Sequence, residues 1–441
     1  MKTILILGGF LVVDKHSIYK DWGVLVRGNR IQAIGPNSTL KENYSGEKII
    51  DATDKILAPG FVNAHHHAYG VLAHGIPIGQ VPVGFRAFLE DFWWPRVENR
   101  LDYEMIIAAT AQSCYEMINS GITSFCDILE APNALPGILQ AEAEVVRQSG
   151  LRAKLCLEAS ERISTENGNK CLQENASFIE SAAGQDELIN GMICTHTSFT
   201  CSQKFLKRAL EMSRELDISL HLHLSESQYE PEFCMRKYGM RPVHWYESFG
   251  FWNENIIASQ LVAVEQSEID VLSRNKVRGV HMPLSNCEVG GGISPVPKIL
   301  AGGLRMGLGT DGYINNFFEV MRGAFLIHKA GNRDTNVMPA DKVFEMATQG
   351  GADVLGFSKT GRLDAGYSAD LIAIDGNFPT PLTEENILDQ IILYRNPSEV
   401  SLVMVDGKIL KENGIVLSLD KDTVREESRK AAQKLWQENR L

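Results

Sequence analysis

The residues best suited to chemistry are histidines and carboxylates at the ends of apolar runs. In PGFVNAHHHAYG, His65 and His67 are two apart. On a strand they share one face, and His66 points to the other. Two imidazoles on one face can hold one metal ion in a tetrahedral or five-coordinate site. His66 then packs or orients a neighbour. A lone His-x-His is weak evidence and needs partners from other strands. ISLHLHLSES offers them: His221 and His223 share a face, and Glu226 follows three residues after His223. A histidine near a strand end with an acid behind it suits a ligand beside a proton carrier. In RMGLGTDG, an apolar strand runs into Asp311 between Gly309 and Gly312. A carboxylate there is costly to bury unless it meets a metal or a proton. The chemistry implied is metal binding beside carboxyl groups able to carry protons. The purely structural alternative is a set of satisfied core histidines and one helix-capping aspartate.

Such groups can converge only if the fold brings several strand ends together. Residues 1–58 are short apolar stretches split by Gly and Asn, which is the texture of a β-meander. The same texture returns over residues 359–419. Between them, apolar runs such as SFCDIL, AKLCLEA, GMICTHTSF and NIIASQLVAV alternate with amphipathic helical segments. Alternation over about 300 residues predicts a parallel α/β fold, with a (β/α)8 TIM-like barrel of the right size at 59–358. The carboxyl ends of its strands would meet at one mouth. His65, His67, His223 and Asp311 would arrive there from three strands, with Glu226 beside them. The two terminal regions would pair into a small β-sandwich domain. Residues 420–441 read as a charged, surface-lying helix with a solvated face.

Composition narrows the partners. The 441 residues carry a formal net charge of -12, which disfavours nucleic acid and anionic membrane surfaces. No run of about 18 apolar residues marks a membrane span. The first segment, TILILGGFLVV, could pass for a weak leader, but Gly8-Gly9 interrupts it and a first strand is the better reading. The eight cysteines are scattered without a Cys-x-x-Cys pair. They predict reduced, mostly buried thiols in a cytoplasmic protein. The glycine run in GGGISP has no accompanying phosphate-cradling pattern.

The chain resembles the amidohydrolase superfamily over nearly its whole length, in the branch of cytosine, guanine and S-adenosylhomocysteine deaminases and triazine hydrolases. PGFVNAHHH, GMICTHTSFTCS, HLHLSES, GVHMPLSN, RMGLGTDG and GRLDAGYSADLIAID carry the resemblance. It implies a barrel with a flanking β-sandwich, and one divalent metal ion, zinc foremost and iron second. His65, His67, His223 and Asp311 would be the ligands. Glu226 would shuttle protons, and Asp311 would help deprotonate the metal-bound water. Relatives with two metals use a lysine on the middle strand, and NGMICTHTSF has none, so a single ion is implied. The implied function is deamination of a small nitrogen heterocycle of purine, pterin, pyrimidine or triazine type. Release of an alkylamine or halide, or a catalytically quiet metal-binding barrel, are the alternatives. Many relatives assemble into homo-oligomers.

One departure stands out. The family carries histidines at the end of the sixth strand, where this chain has Gln260 and Ala263. A glutamine can donate a hydrogen bond to a hydroxide or oxyanion but cannot replace histidine as an acid or base. The resemblance also suggests substrate contacts. His196 in THTSFTCS sits near the substrate in relatives, or is a satisfied core histidine. His281, with Ser285 and Asn286, lines the mouth or shapes a loop. Glu98 in WWPRVENRL matches an acid that holds a substrate amine in some relatives, or is a solvated helix-start residue. Trp93 and Trp94 could form an apolar lid over a flat ring or pack in the core. His74 and Gln80 would belong to a loop over the mouth.

Overall fold

A computed structural model describes residues 3–44, 48–79, 82–184 and 188–437. Gln80 lies outside the described residues.

Eight parallel strands close into a barrel. In order they are Phe61–His66, Ile122–Leu129, Arg152–Ala159, a fourth broken into Ile189–Gly191 and Ile193–Thr195, then Leu220–Leu224, Ile256–Gln260, Arg278–His281 and Arg305–Leu308. Closure comes from the eighth strand pairing the first, Leu308 opposite Asn63, and from the third pairing the fourth. The first, second, fifth, sixth and seventh strands are buried at every position. Continuous burial is expected where a parallel strand faces the barrel interior on one side and helices on the other. Helix Tyr103–Ser120 shows how the helices are delimited. Asp102 caps its start by accepting from the Met105 N–H at 2.9 Å, and Gly121, at φ 87°, ends it in a left-handed turn.

The strands of the two chain ends form one nine-stranded sheet. Lys48–Pro59 pairs parallel with Thr3–Val12 and antiparallel with Leu371–Asp375, joining the N-terminal strands to the later ones. Ile4, Ile6, Val24, Leu57, Leu371 and Leu402 share the core cluster on this sheet.

The final helix, Lys421–Gln437, presents its charged side chains at the surface, and it also buries one face. Val424, Ser428, Ala431 and Leu435 form a buried stripe along it. The stripe packs on helix Tyr103–Ser120, and the Trp436 Nε1–H donates to the Leu72 carbonyl at 2.8 Å. All eight cysteines are free thiols, seven of them buried. No helix among the described residues is long and apolar enough to cross a membrane.

Candidate active site

The carboxyl ends of the barrel strands open into a cavity of about 780 Å³. At its floor, ring nitrogens of His65, His67 and His223 lie within 4.8 Å of one another. His67 Nδ1 donates to the Ile128 carbonyl at 2.6 Å, which leaves its Nε2 as a lone pair. That lone pair faces His65 Nε2 at 3.2 Å. Burial first, and His67 second, drive the His65 imidazole well below its ordinary pKa, so it is neutral. His221 Nε2 sits 3.1 Å behind it, at His65 Nδ1. Two ring nitrogens this close need a cation or a proton between them. With His223 as a third ring and Asp311 Oδ1 at 3.3 Å from His67 Nε2, the donor set fits a divalent cation. His223 Nδ1 lies 3.1 Å from Glu158 Oε2, which stands behind the ring.

Asp311 is held from three sides. Its backbone is left-handed at φ 59°. His66 Nδ1 donates to its carbonyl at 2.9 Å, so the histidine that points away from the floor holds the aspartate's main chain. Oδ1 accepts from Gly312 N–H at 2.8 Å, and Oδ2 accepts from Gln260 Nε2 at 2.7 Å. The Gln260 amide thus engages Asp311, where the sequence suggested a hydroxide or oxyanion as its partner. Gln260 itself adopts φ 73° at the end of the sixth strand. Gly309 is required by close packing, since a Cβ there would stand 2.8 Å from the His65 carbonyl.

Glu226 lines the cavity across from Asp311. Burial first, and the Asp311 charge second, push its carboxyl up to about 8. It therefore holds a proton at neutral pH.

His196 is buried and lines the cavity, with Nδ1 2.7 Å from Thr200 Oγ1. It is both a satisfied histidine and a wall of the site. Glu98 also lines the cavity, and it is fully buried, contrary to its reading as a solvated residue. Arg162 Nη2 reaches its Oε2 at 2.6 Å. His281 is not among the cavity-lining residues; its Nε2 lies 3.0 Å from His328 Nε2, on the helix that follows the eighth strand, which agrees with its structural reading. Ser285 lines the wall, as does the exposed His74, 2.9 Å from the Gly312 carbonyl. Trp93 reaches the cavity from a six-residue π-helical turn, Phe88–Trp93. Trp94 instead packs beneath the Arg162 guanidinium and edge-on to His196.

Two acids at the site are missing from the sequence reading. Glu130 follows the second strand and Glu158 closes the third. Each is an acid at the end of an apolar strand, the same signal that singles out Asp311. The carboxyls of Glu98, Glu130 and Glu158 lie close together as a row. Burial, then Glu130, raises Glu98 well above the carboxylate range. Burial opposes ionisation of Glu130 too, but the Glu98 hydrogen bond and His67 pull it well below that range.

Barrel and histidine cluster together define a barrel hydrolase with a histidine-rich metal-binding mouth. The amidohydrolase family model matches residues 56–410. A 5-methylthioadenosine/S-adenosylhomocysteine deaminase of Pelotomaculum thermopropionicum is 31% identical over 442 residues, covering 99% of both chains. A 5'-deoxyadenosine deaminase of Methanosarcina acetivorans is 33% identical over 421 residues, covering 94% of each. Among solved structures, a zinc-bound adenosine deaminase from Xanthomonas campestris superposes with a TM-score of 0.89 at 23% identity, covering 98% of both chains. The chain belongs to the amidohydrolase family.

Proposed function

We propose that this chain is a metal-dependent aminohydrolase that releases ammonia from the ring of a small nitrogen heterocycle, of the adenosine type named for its relatives. The observation that carries the reading is the histidine floor lying beside one carboxylate, Asp311, and one protonated carboxyl, Glu226. His65, His67, His223 and Asp311 would hold one divalent ion, zinc before iron. When bound, that ion lowers the pKa of water towards about 7 and so supplies a nucleophile at neutral pH.

The chain's own groups carry the protons. Asp311, fixed by Gln260 and Gly312, accepts the proton leaving the water. Glu226 gives its proton to a ring nitrogen, which draws electrons away from the ring carbon as a C–O bond forms. The C–N bond then breaks and the amino group leaves as ammonia, taking the proton that Asp311 accepted, while the new hydroxyl returns its proton to Glu226. The product keeps a ring carbonyl in place of the amine. His196 and Glu98 border the space the substrate would fill.

The test is ammonia release from adenosine, 5'-deoxyadenosine and 5-methylthioadenosine by protein of measured metal content. Turnover that tracks metal content is expected. Full metal loading with no ammonia from any aminated heterocycle would sink the reading.

A further inference from the structure

The cavity wall is charged on one side only. Six carboxyl side chains line it: Glu98, Glu116, Glu130, Glu226, Glu288 and Asp311. Among the described residues, no lysine or arginine does. The nearby guanidinium of Arg162 is engaged by Glu98 Oε2 at 2.6 Å and by Asn99 Oδ1 at 2.7 Å, and it rests over Trp94. Arg86, next to the cavity-lining Phe85, pairs with Glu90 at 2.9 Å and lies over the Tyr229 ring. Glu226 holds a proton and Glu98 is raised well above the carboxylate range, so at most four of the six carry charge, and a divalent cation among the histidines would offset two of those without making the wall cationic. The rest of the lining is largely apolar, with Ile76, Phe85, Phe88, Phe92, Trp93 and Ile314 on it. An anionic group entering this cavity would lose its water, meet like charges, and find no cationic side chain to pair with.

We propose, building on the deaminase reading above, that the arm of the substrate remote from the reacting ring is uncharged and apolar, and that carboxylate- and phosphate-bearing analogues are rejected. The wall sets this selectivity by charge, not by size. The nucleosides that fit carry a hydrogen, alkyl or thioether group where a nucleotide carries phosphate.

The discriminating experiment uses the metal-loaded protein and compounds matched in bulk. These are adenosine derivatives bearing a 5'-methylthio, a 5'-carboxamidomethylthio, a 5'-carboxymethylthio or a 5'-phosphate group. The first two should agree in kcat/KM within about threefold. The carboxylate and the phosphate should fall at least about tenfold below the amide, a gap of about 1.4 kcal/mol or more. Raising ionic strength from about 0.01 to about 0.15 M shortens the Debye length from ~30 to ~8 Å and should narrow that gap without moving the neutral pair. A carboxylate within threefold of its amide overturns the proposal, and so does an amide as poor as the carboxylate. Calorimetric titration of the same four compounds gives their order of affinity without turnover. If none releases ammonia, the deaminase reading falls, while the order of affinities still decides the charge rule.

Discussion

Gln260 and Asp311 are 51 positions apart and joined at 2.7 Å. The amide donates to one carboxylate oxygen and so aims the other at the histidine floor. Gln260→Ala removes that donor without touching the histidines. It should lower kcat about tenfold or more, leave KM within about threefold, and leave metal content unchanged, all readable in steady-state kinetics with metal analysis. Gln260→His keeps a ring N–H for Asp311 and should lose less than the alanine variant. A histidine variant as impaired as the alanine one would mean that the Asp311 bond is not what matters. Glu226→Gln keeps the shape but has no proton to give. Its turnover should fall by about 10²–10⁴-fold with metal retained. Undiminished turnover would remove Glu226 from the proton path.

At the element scale, the turn after His67 is gripped from two directions. Asp127, on the second strand, accepts from Ala68 N–H at 2.8 Å and lies beside the carboxyl of Glu142 on helix Ile138–Ser149. Burial, before all other causes, raises both carboxyls, Asp127 to about 6 and Glu142 well above its ordinary range. The folded state therefore holds protons that the unfolded chain gives up. That stabilisation is complete at pH below the ordinary carboxyl values and is lost as pH rises through the folded ones, on the order of 1–3 kcal/mol. Glu142→Gln keeps a donor for Asp127 without an ionisable proton. Thermal unfolding should then show a flatter fall in Tm from acid to alkaline pH than the parent protein shows; an unchanged slope would count against the pair. The second grip is the last helix, through the Trp436 bond to Leu72 and the buried Leu435. Leu435→Ala should cost about 2–4 kcal/mol in denaturant unfolding. Trp436→Phe should cost about 1 kcal/mol, because the Leu72 carbonyl loses its donor. A pure surface helix would show neither effect.

For the whole molecule, a cation bound only by the folded barrel adds stability by mass action, about 2.7 kcal/mol when free metal is a hundredfold above Kd. Chelation should therefore lower Tm and abolish ammonia release together, and added zinc should restore both. Loss of activity with Tm unchanged would place the metal outside the histidine floor. The barrel and its mouth were legible in the sequence because local pattern carries them. Alternation of apolar strand and amphipathic helix specifies the architecture. Period two puts His65 with His67 and His221 with His223, and apolar runs ending in Asp311 or His223 mark the mouth. The buried stripe of the last helix stayed hidden because its four positions are outnumbered by charges. By itself, then, the sequence determined which strand ends carry imidazole and carboxyl groups, since each is set by its own few neighbours. Only the tertiary structure decided whom those groups meet: Gln260 with Asp311, Glu98 with Glu130 and Arg162, His281 with His328 rather than the cavity. The reason is physical. Each such contact joins segments distant in the chain, and its partner, burial and protonation are set by closure of the barrel, which no local pattern encodes.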